Sequence, residues 1–101
     1  MPIDLTITNT PKNSKKRLRA IFRIHKGGDI IKITDFGLKG GSTYLDHKDK
    51  TKRKNWRARH KKDLDTKDYK RAGYLSWFLL WGPHTDLDKN IKSFKKKFKL
   101  S

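Results

Sequence analysis

The run from Arg71 to Pro83, RAGYLSWFLLWGP, is the most apolar stretch of a chain that sets 27 Lys and Arg against 10 acids. With a formal charge of +17 and a hydrophobic fraction of 33%, composition alone would favour disorder. Any fold must therefore be organised around this run. Trp77 and Trp81 lie in it four residues apart. Tyr74 to Trp81 followed by Gly82-Pro83 predicts a two-turn buried helix stopped by glycine and proline, with a buried strand as the alternative that length does not exclude. The two indoles could serve as stacking platforms for bases, but in so apolar a run we expect them in the core.

A chain of 101 residues makes one small domain with a limited core. Its charge is uneven: residues 42–62 carry +7 and residues 15–41 carry +6, residues 63–86 carry −1, and residues 87–101 carry +5. Such an excess goes beyond what solubility needs and points to a polyanionic partner. Every acid is Asp, which suits helix caps and turns better than helix salt ladders. The absence of cysteine removes disulfides and thiolate metal sites. No apolar run approaches the roughly 18 residues that span a bilayer, and MPIDLTITNTPKNS lacks the regions of a signal peptide. We expect a soluble, unsecreted protein without membrane insertion.

Ile3, Leu5 and Ile7 alternate with polar residues and fit either a short edge strand or a loose arm. We assign residues 1–14 to an N-terminal arm that orders on a partner, and residues 15–101 to a single basic domain. Leu18, Ala20, Phe22 and Ile24 keep a period of two, which signals a strand. A two-residue primed turn at Gly27-Gly28, with positive φ at both, would pair Ile24 with Ile31 and Phe22 with Ile33 on one apolar face. A one-residue slip would put Ile31 and Ile33 on the wet side, so that register is the expectation.

FGLKGGSTYLD reads as a loop. Asp49, with Asp46 as the other candidate, caps a helix through about Lys62. An anion site on backbone amides at Gly40 to Thr43 is the functional reading of the glycines, although no phosphate-loop motif is matched and an ordinary turn is the plainer one. In KDKTKRKNWRARHKK, nine of fifteen residues are Lys or Arg. Trp56 and His60, four apart, form the narrow inside of this helix, with Arg53, Arg57 and Lys61 on a neighbouring face. Lys50, Lys52, Lys54, Arg57, Lys61 and Lys62 would remain free. A solvated basic face is the plain alternative to phosphate contact. Finally, Thr85 or Asp86 caps a helix whose Leu87, Ile91, Phe94 and Phe98 form an amphipathic stripe. Lys92, Lys95, Lys96, Lys97 and Lys99 flank it.

The order of these pieces carries a resemblance. FG, a glycine loop with Tyr44, Asp46, His47 and Asp49, then KRKNWRARH, AGYLSWFLLWG and a basic helix ending in SFKKKF resemble a small basic protein family, of no assigned function, encoded by large double-stranded DNA viruses of eukaryotes. The likeness spans about Lys15 to Phe98. It rests on Trp56 with Arg59-His60, on Ala72, Gly73, Leu75 and Ser76, and on Leu80-Trp81. Trp56 replaces a more usual tyrosine, and the loop before Ala72 is altered. The resemblance implies a viral genome or virion context, in the particle and in the viral factory of the host cytoplasm or nucleus.

His47, Asp49, Arg59 and His60 could bind a metal or activate water. His47 and Asp49 straddle a helix start, however, while His60 lies about three turns on, and no second carboxylate cluster or nucleophile setting accompanies them. We therefore expect no catalytic residue, no metal and no cofactor. Structural roles are assigned to Trp56, Trp77 and Trp81, to Arg59 pairing Asp46 or Asp35, and to His60 packed behind Trp56. The fold expected is α+β, an N-terminal β-hairpin packed against about three short helices. The function expected is sequence-nonspecific nucleic-acid binding, DNA ahead of RNA, through Lys50, Lys52, Arg53, Lys54, Arg57, Lys61, Lys62, Lys92, Lys95, Lys96 and Lys99. The alternative is a virion structural protein that binds acidic viral proteins without nucleic acid. A homodimer would serve either role by burying more surface.

Overall fold

The computed structural model describes residues 2–101, and the fold is α+β. Three antiparallel strands, β1 (Asp4–Asn9), β2 (Lys16–Arg23) and β3 (Ile30–Leu38), form a sheet in that order. A one-turn helix α1 (Tyr44–His47) and the basic helix α2 (Lys50–His60) follow, and α2 runs on as a 3₁₀ turn over Lys61–Thr66. Helix α3 (Ala72–Leu75) continues as a π-helical stretch, Ser76–Leu80, and α4 (Leu87–Phe98) closes the domain. None of the helices described is long and apolar enough to cross a membrane.

The core lies between one face of the sheet and the helices of the C-terminal half. Leu5 on β1, Leu18, Ala20 and Phe22 on β2 and Phe36 on β3 meet Leu75, Leu79, Leu80, Trp81 and Phe94. As the sequence implies, the tryptophan run is helical and buried: Trp77 and Trp81 are 7% and 8% exposed. It ends at Gly82 because a Cβ there would collide with the Phe78 carbonyl. The fully buried Asn90 stitches the following loop to α4. Its amide donates to the Leu79 and His84 carbonyls (3.0 and 2.9 Å) and its oxygen accepts from the His84 N–H at 3.0 Å. Asp86, not Thr85, caps α4 by accepting from the Asp88 and Lys89 amides.

Two expectations are corrected. Residues 4–9 are the edge strand β1, paired with β2, rather than part of an arm outside the fold. Leu5, 1% exposed, supplies the reason: the alternation of Leu5 and Ile7 completes the apolar face opposite Phe22 and Ala20. The hairpin register is the second correction. Leu18 opposes Phe36, Arg19 opposes Asp35 and Ile21 opposes Ile33, one residue away from the pairing expected. Only Gly27 takes a positive φ (+78°), so the turn is a longer one that closes on Ile24 N–H to Asp29 O (2.9 Å), and Ile31 is left over as a bulge.

The energetics explain the slip. Pairing Phe22 with Ile33 would have turned Asp35 into the core and Phe36 out of it, and a buried unpaired carboxylate costs more than two half-exposed isoleucines. In the observed register Asp35 accepts both hydrogen bonds of a forked Arg19 contact (2.8 and 3.1 Å) on the outer face. Ile24, Ile30, Ile31 and Ile33 stay about half exposed as the consequence.

The glycine loop is tied to the sheet by a second fork. Arg17 donates two hydrogen bonds to Asp46 (2.8 and 3.1 Å), which also accepts from the Thr43 N–H and hydroxyl in the capping box of α1. The Arg17 guanidinium foremost, then the Thr43 groups, hold the Asp46 carboxyl well below its ordinary value of 3.8 against an opposing effect of burial. The Arg19 hydrogen bonds lower the Asp35 carboxyl, and the Lys52 and Thr51 amides lower that of Asp49.

The register makes a prediction with opposite outcomes under the two pairings. Phe36→Ala should cost about 3–5 kcal/mol in urea unfolding, and Ile33→Ser about 0.5 kcal/mol or less. The pairing expected from the sequence requires the reverse order. The depressed carboxylates stabilise the fold above their unfolded value near 3.8, and this contribution is lost as pH falls through that value toward their lower folded ones. The thermal midpoint should therefore drop between about pH 5 and 3. Asp46→Asn should start lower and drop less.

Candidate nucleic-acid interface

Helix α2 packs eleven residues, KTKRKNWRARH, with six cations and no fully buried side chain. Its start is set by Asp49, whose carboxylate accepts from the Thr51 and Lys52 amides (2.9 and 3.2 Å). What holds it down is a column of rings. His60 stacks on Trp56 (centroids 4.2 Å, 20°), Trp56 stacks on Trp81 (4.8 Å, 6°), and His47 tilts against Trp81 at 5.2 Å. The spacing argument for Trp56 and His60 thus corresponds to the contact formed. Trp56 thus stacks on both His60 and Trp81 and is partly buried.

Two of the cations assigned to the free surface are turned inward. Arg53 Nε donates to the Trp81 and Gly82 carbonyls (3.2 and 2.9 Å), and Arg57 Nη1 donates to the Trp81 carbonyl at 2.8 Å. The last carbonyls of a helix lack partners within it, and these guanidiniums supply the missing donors from a neighbouring helix. Arg57 also lies 4.1 Å over the Trp77 ring, and Arg53 lies 5.4 Å from the Tyr44 centroid. Burial, with Arg53 nearby, lowers the Arg57 pKa below its usual value. A helix end of Gly82-Pro83 beside a surplus of arginines was the signal in the sequence that could have suggested such a cap.

Arg59 is likewise corrected. Its expected partners are taken, Asp46 by Arg17 and Asp35 by Arg19, and Arg59 is exposed beside Ser42 and Trp81. His60 Nδ1 meets Asp63 at 3.2 Å, and His47 Nδ1 accepts from the Asp49 N–H at 2.9 Å. Among the described residues, no group of three or more His, Cys, Asp or Glu is arranged to hold a metal.

The remaining cations sort by helical spacing. Lys50, Lys54, Arg57 and Lys61 fall at i, i+4, i+7 and i+11 along one side of α2 and its continuation. Across from Arg53 and Arg57, Ser93 and Lys97 of α4 line the other wall of a cleft of about 240 Å³ floored by Phe78 and Phe94. Lys89 and Lys96 share that side of α4, while Lys92, Lys95 and Lys99 fall on another. Lys97, named above as flanking the α4 stripe but not among the expected phosphate contacts, thereby faces α2, with Lys89 on the adjoining side of α4. No carboxylate lines the cleft. Lys52 and Lys62 stand on a different side of α2, also exposed. A larger cavity, about 560 Å³, lies between β3 and residues 63–73, but its walls carry both signs of charge, with Asp63 and Asp68 against Lys32, Lys70 and Arg71.

The division between capping arginines and free lysines is testable by unfolding. Arg57→Ala should cost about 2–3 kcal/mol, because a charged hydrogen bond and a cation–π contact are lost and the Trp81 carbonyl is left short of a donor. Lys54→Ala should change stability by no more than about 0.5 kcal/mol. Equal, small effects would remove Arg57 from the cap.

Comparison with known proteins places the chain by its N-terminal half. None of the curated proteins and none of the solved structures matched it. The matching family model covers residues 7–60, which runs from β1 through the sheet, the glycine loop and α1 to the Arg59-His60 end of α2. The chain belongs to this family, described as a family of unknown function (DUF5754).

Proposed function

We propose that the protein binds nucleic acid, DNA ahead of RNA, through phosphate contacts and without reading base sequence. One observation carries this reading: two basic helices from opposite ends of the C-terminal half face each other across a cleft whose lining holds no carboxylate. Lys50, Lys54 and Lys61 on one side and Lys89, Lys96 and Lys97 on the other can each neutralise a phosphate and release its counterion. Repulsion along the α2 stripe, a few tenths of a kcal/mol per pair at i,i+4, is relieved when phosphates lie against it. The role proposed is binding rather than catalysis. A viral genome or virion setting is part of the proposal and rests on the family resemblance of the sequence.

A second reading, a structural protein that binds acidic protein partners, has one observation in its favour. Ile30 and Ile33 on the outer face of the sheet and Ile24 and Ile31 at its hairpin end are 47–53% exposed, an apolar surface that phosphates would not use. Arg23, Lys26 and Lys32 adjoin it in sequence and suit an acidic partner.

Salt titration separates the two. With six contacts, the logarithm of the affinity for duplex DNA should fall against the logarithm of salt with a slope near −5, from about −0.9 per phosphate. Lys50→Ala, Lys54→Ala and Lys61→Ala together should flatten it to about −3 while the fold is kept. A mobility shift with duplex, single strands and RNA side by side reads this directly. An unchanged slope overturns the assignment. Absence of binding to any polynucleotide at low salt leaves the protein-partner reading in its place.

A further inference from the structure

On the side of α2 away from the α4 cleft, two adjoining cavities of about 350 and 300 Å³ share Ser42, Arg59 and Trp81 and so form one groove. The glycine loop walls it on one side. Lys52, Asn55 and Arg59, at i, i+3 and i+7 of α2, wall it on the other. No carboxylate lines either part. The nearest acids are engaged, Asp46 by Arg17 and Thr43 and Asp49 by the amides of α2. Among the described residues the side chains of Ser42, Lys52, Asn55 and Arg59 make no hydrogen bond or ion pair with the protein, so their donors converge on the groove uncommitted.

A second observation comes from His47, whose ring belongs to the same lining. Its Nδ1 accepts from the Asp49 N–H, which places the proton of the neutral ring on Nε2. That Nε2 is buried and has no partner. The ring thus lines the groove without spending a donor on it, and the donors that reach the groove are those of the exposed side chains. A guanidinium, an ammonium, an amide and a hydroxyl supply more donors than the two oxygens of a carboxylate can accept, whereas a tetrahedral oxyanion offers oxygens in several directions. The indole of Trp81 lines the same groove.

We infer that this groove is a phosphate-binding site, with Arg59 and Lys52 as its principal ligands and Ser42 and Asn55 completing the shell. It is separate from the α2–α4 cleft and goes beyond the proposed function, since a phosphate held here requires no strand along the lysine stripe. The phosphate could come as the free ion, on a mononucleotide or at the end of a nucleic-acid strand.

Titration with inorganic phosphate against chloride at constant ionic strength, followed by tryptophan emission, tests it. The full chain should give a saturable response to phosphate and none to chloride. Arg59→Ala should weaken the response by about tenfold or more, the loss of one charge-assisted contact, and Arg59→Lys should restore part of it. Thermal unfolding of Arg59→Ala should stay near that of the wild type, because the side chain holds no other part of the protein. The salt slope of this variant on duplex DNA should also stay unchanged, so the groove and the lysine stripe can fail independently. Competition by adenosine monophosphate or by a 5′-phosphorylated oligonucleotide, but not by its unphosphorylated twin, identifies the source as a nucleotide. Competition by none of them identifies the free ion. A phosphate response no different from that to chloride, or one indifferent to both Arg59→Ala and Lys52→Ala, overturns the proposal.

Discussion

The stacking of Trp56 on Trp81 is the contact on which the basic half of the molecule depends. A helix with six cations in eleven residues has almost nothing apolar with which to attach itself, and its own like charges work against it. One indole resolves this by entering a column of four rings, and two arginines add to it by capping the carbonyls at the end of the tryptophan run. The charge that would expel the helix from the fold is thus partly used to hold it there. What is left over, chiefly lysine, is what a partner can meet.

This sharing of labour separates four arginines from the lysines of α2 and α4. Arg17 and Arg19 fork onto Asp46 and Asp35, while Arg53 Nε donates to the Trp81 and Gly82 carbonyls and Arg57 donates to the Trp81 carbonyl. A planar guanidinium can satisfy fixed acceptors at low cost, whereas an ammonium on a flexible stem keeps its hydration and its freedom. Arg59, like Arg23, is committed to no protein acceptor, and the groove Arg59 lines is where we place an external one. The lysines of α2 and α4 form the complementary surface, diffuse and suited to a polyanion of repeating charge.

Much of this was legible in the chain. The tryptophan run had to be core because little else could be, Asp49 and Asp86 were good caps by residue type and place, and Trp56 with His60 followed from a spacing of four. The α4 stripe of Leu87, Ile91, Phe94 and Phe98 was similarly plain. The hairpin register was not, because the argument weighed Ile31 and Ile33 without weighing Asp35 and Phe36, whose exchange would have buried a charge. Nor could local patterning show that residues 4–9 find an apolar face waiting for them on β2, since the partner strand is remote in sequence from the alternation itself.

By itself the sequence determined the class of fold, the elements of the C-terminal half and the excess of positive charge, because periodicity, caps and composition act over one or two turns of chain. Tertiary structure alone decided which cations are free. Lys97 shares a cleft with α2 only because the core sets two helices side by side, and Arg53 and Arg57 are withdrawn only because a helix end lies within reach. Such choices turn on acceptors that come from elsewhere in the chain, and no local pattern records them.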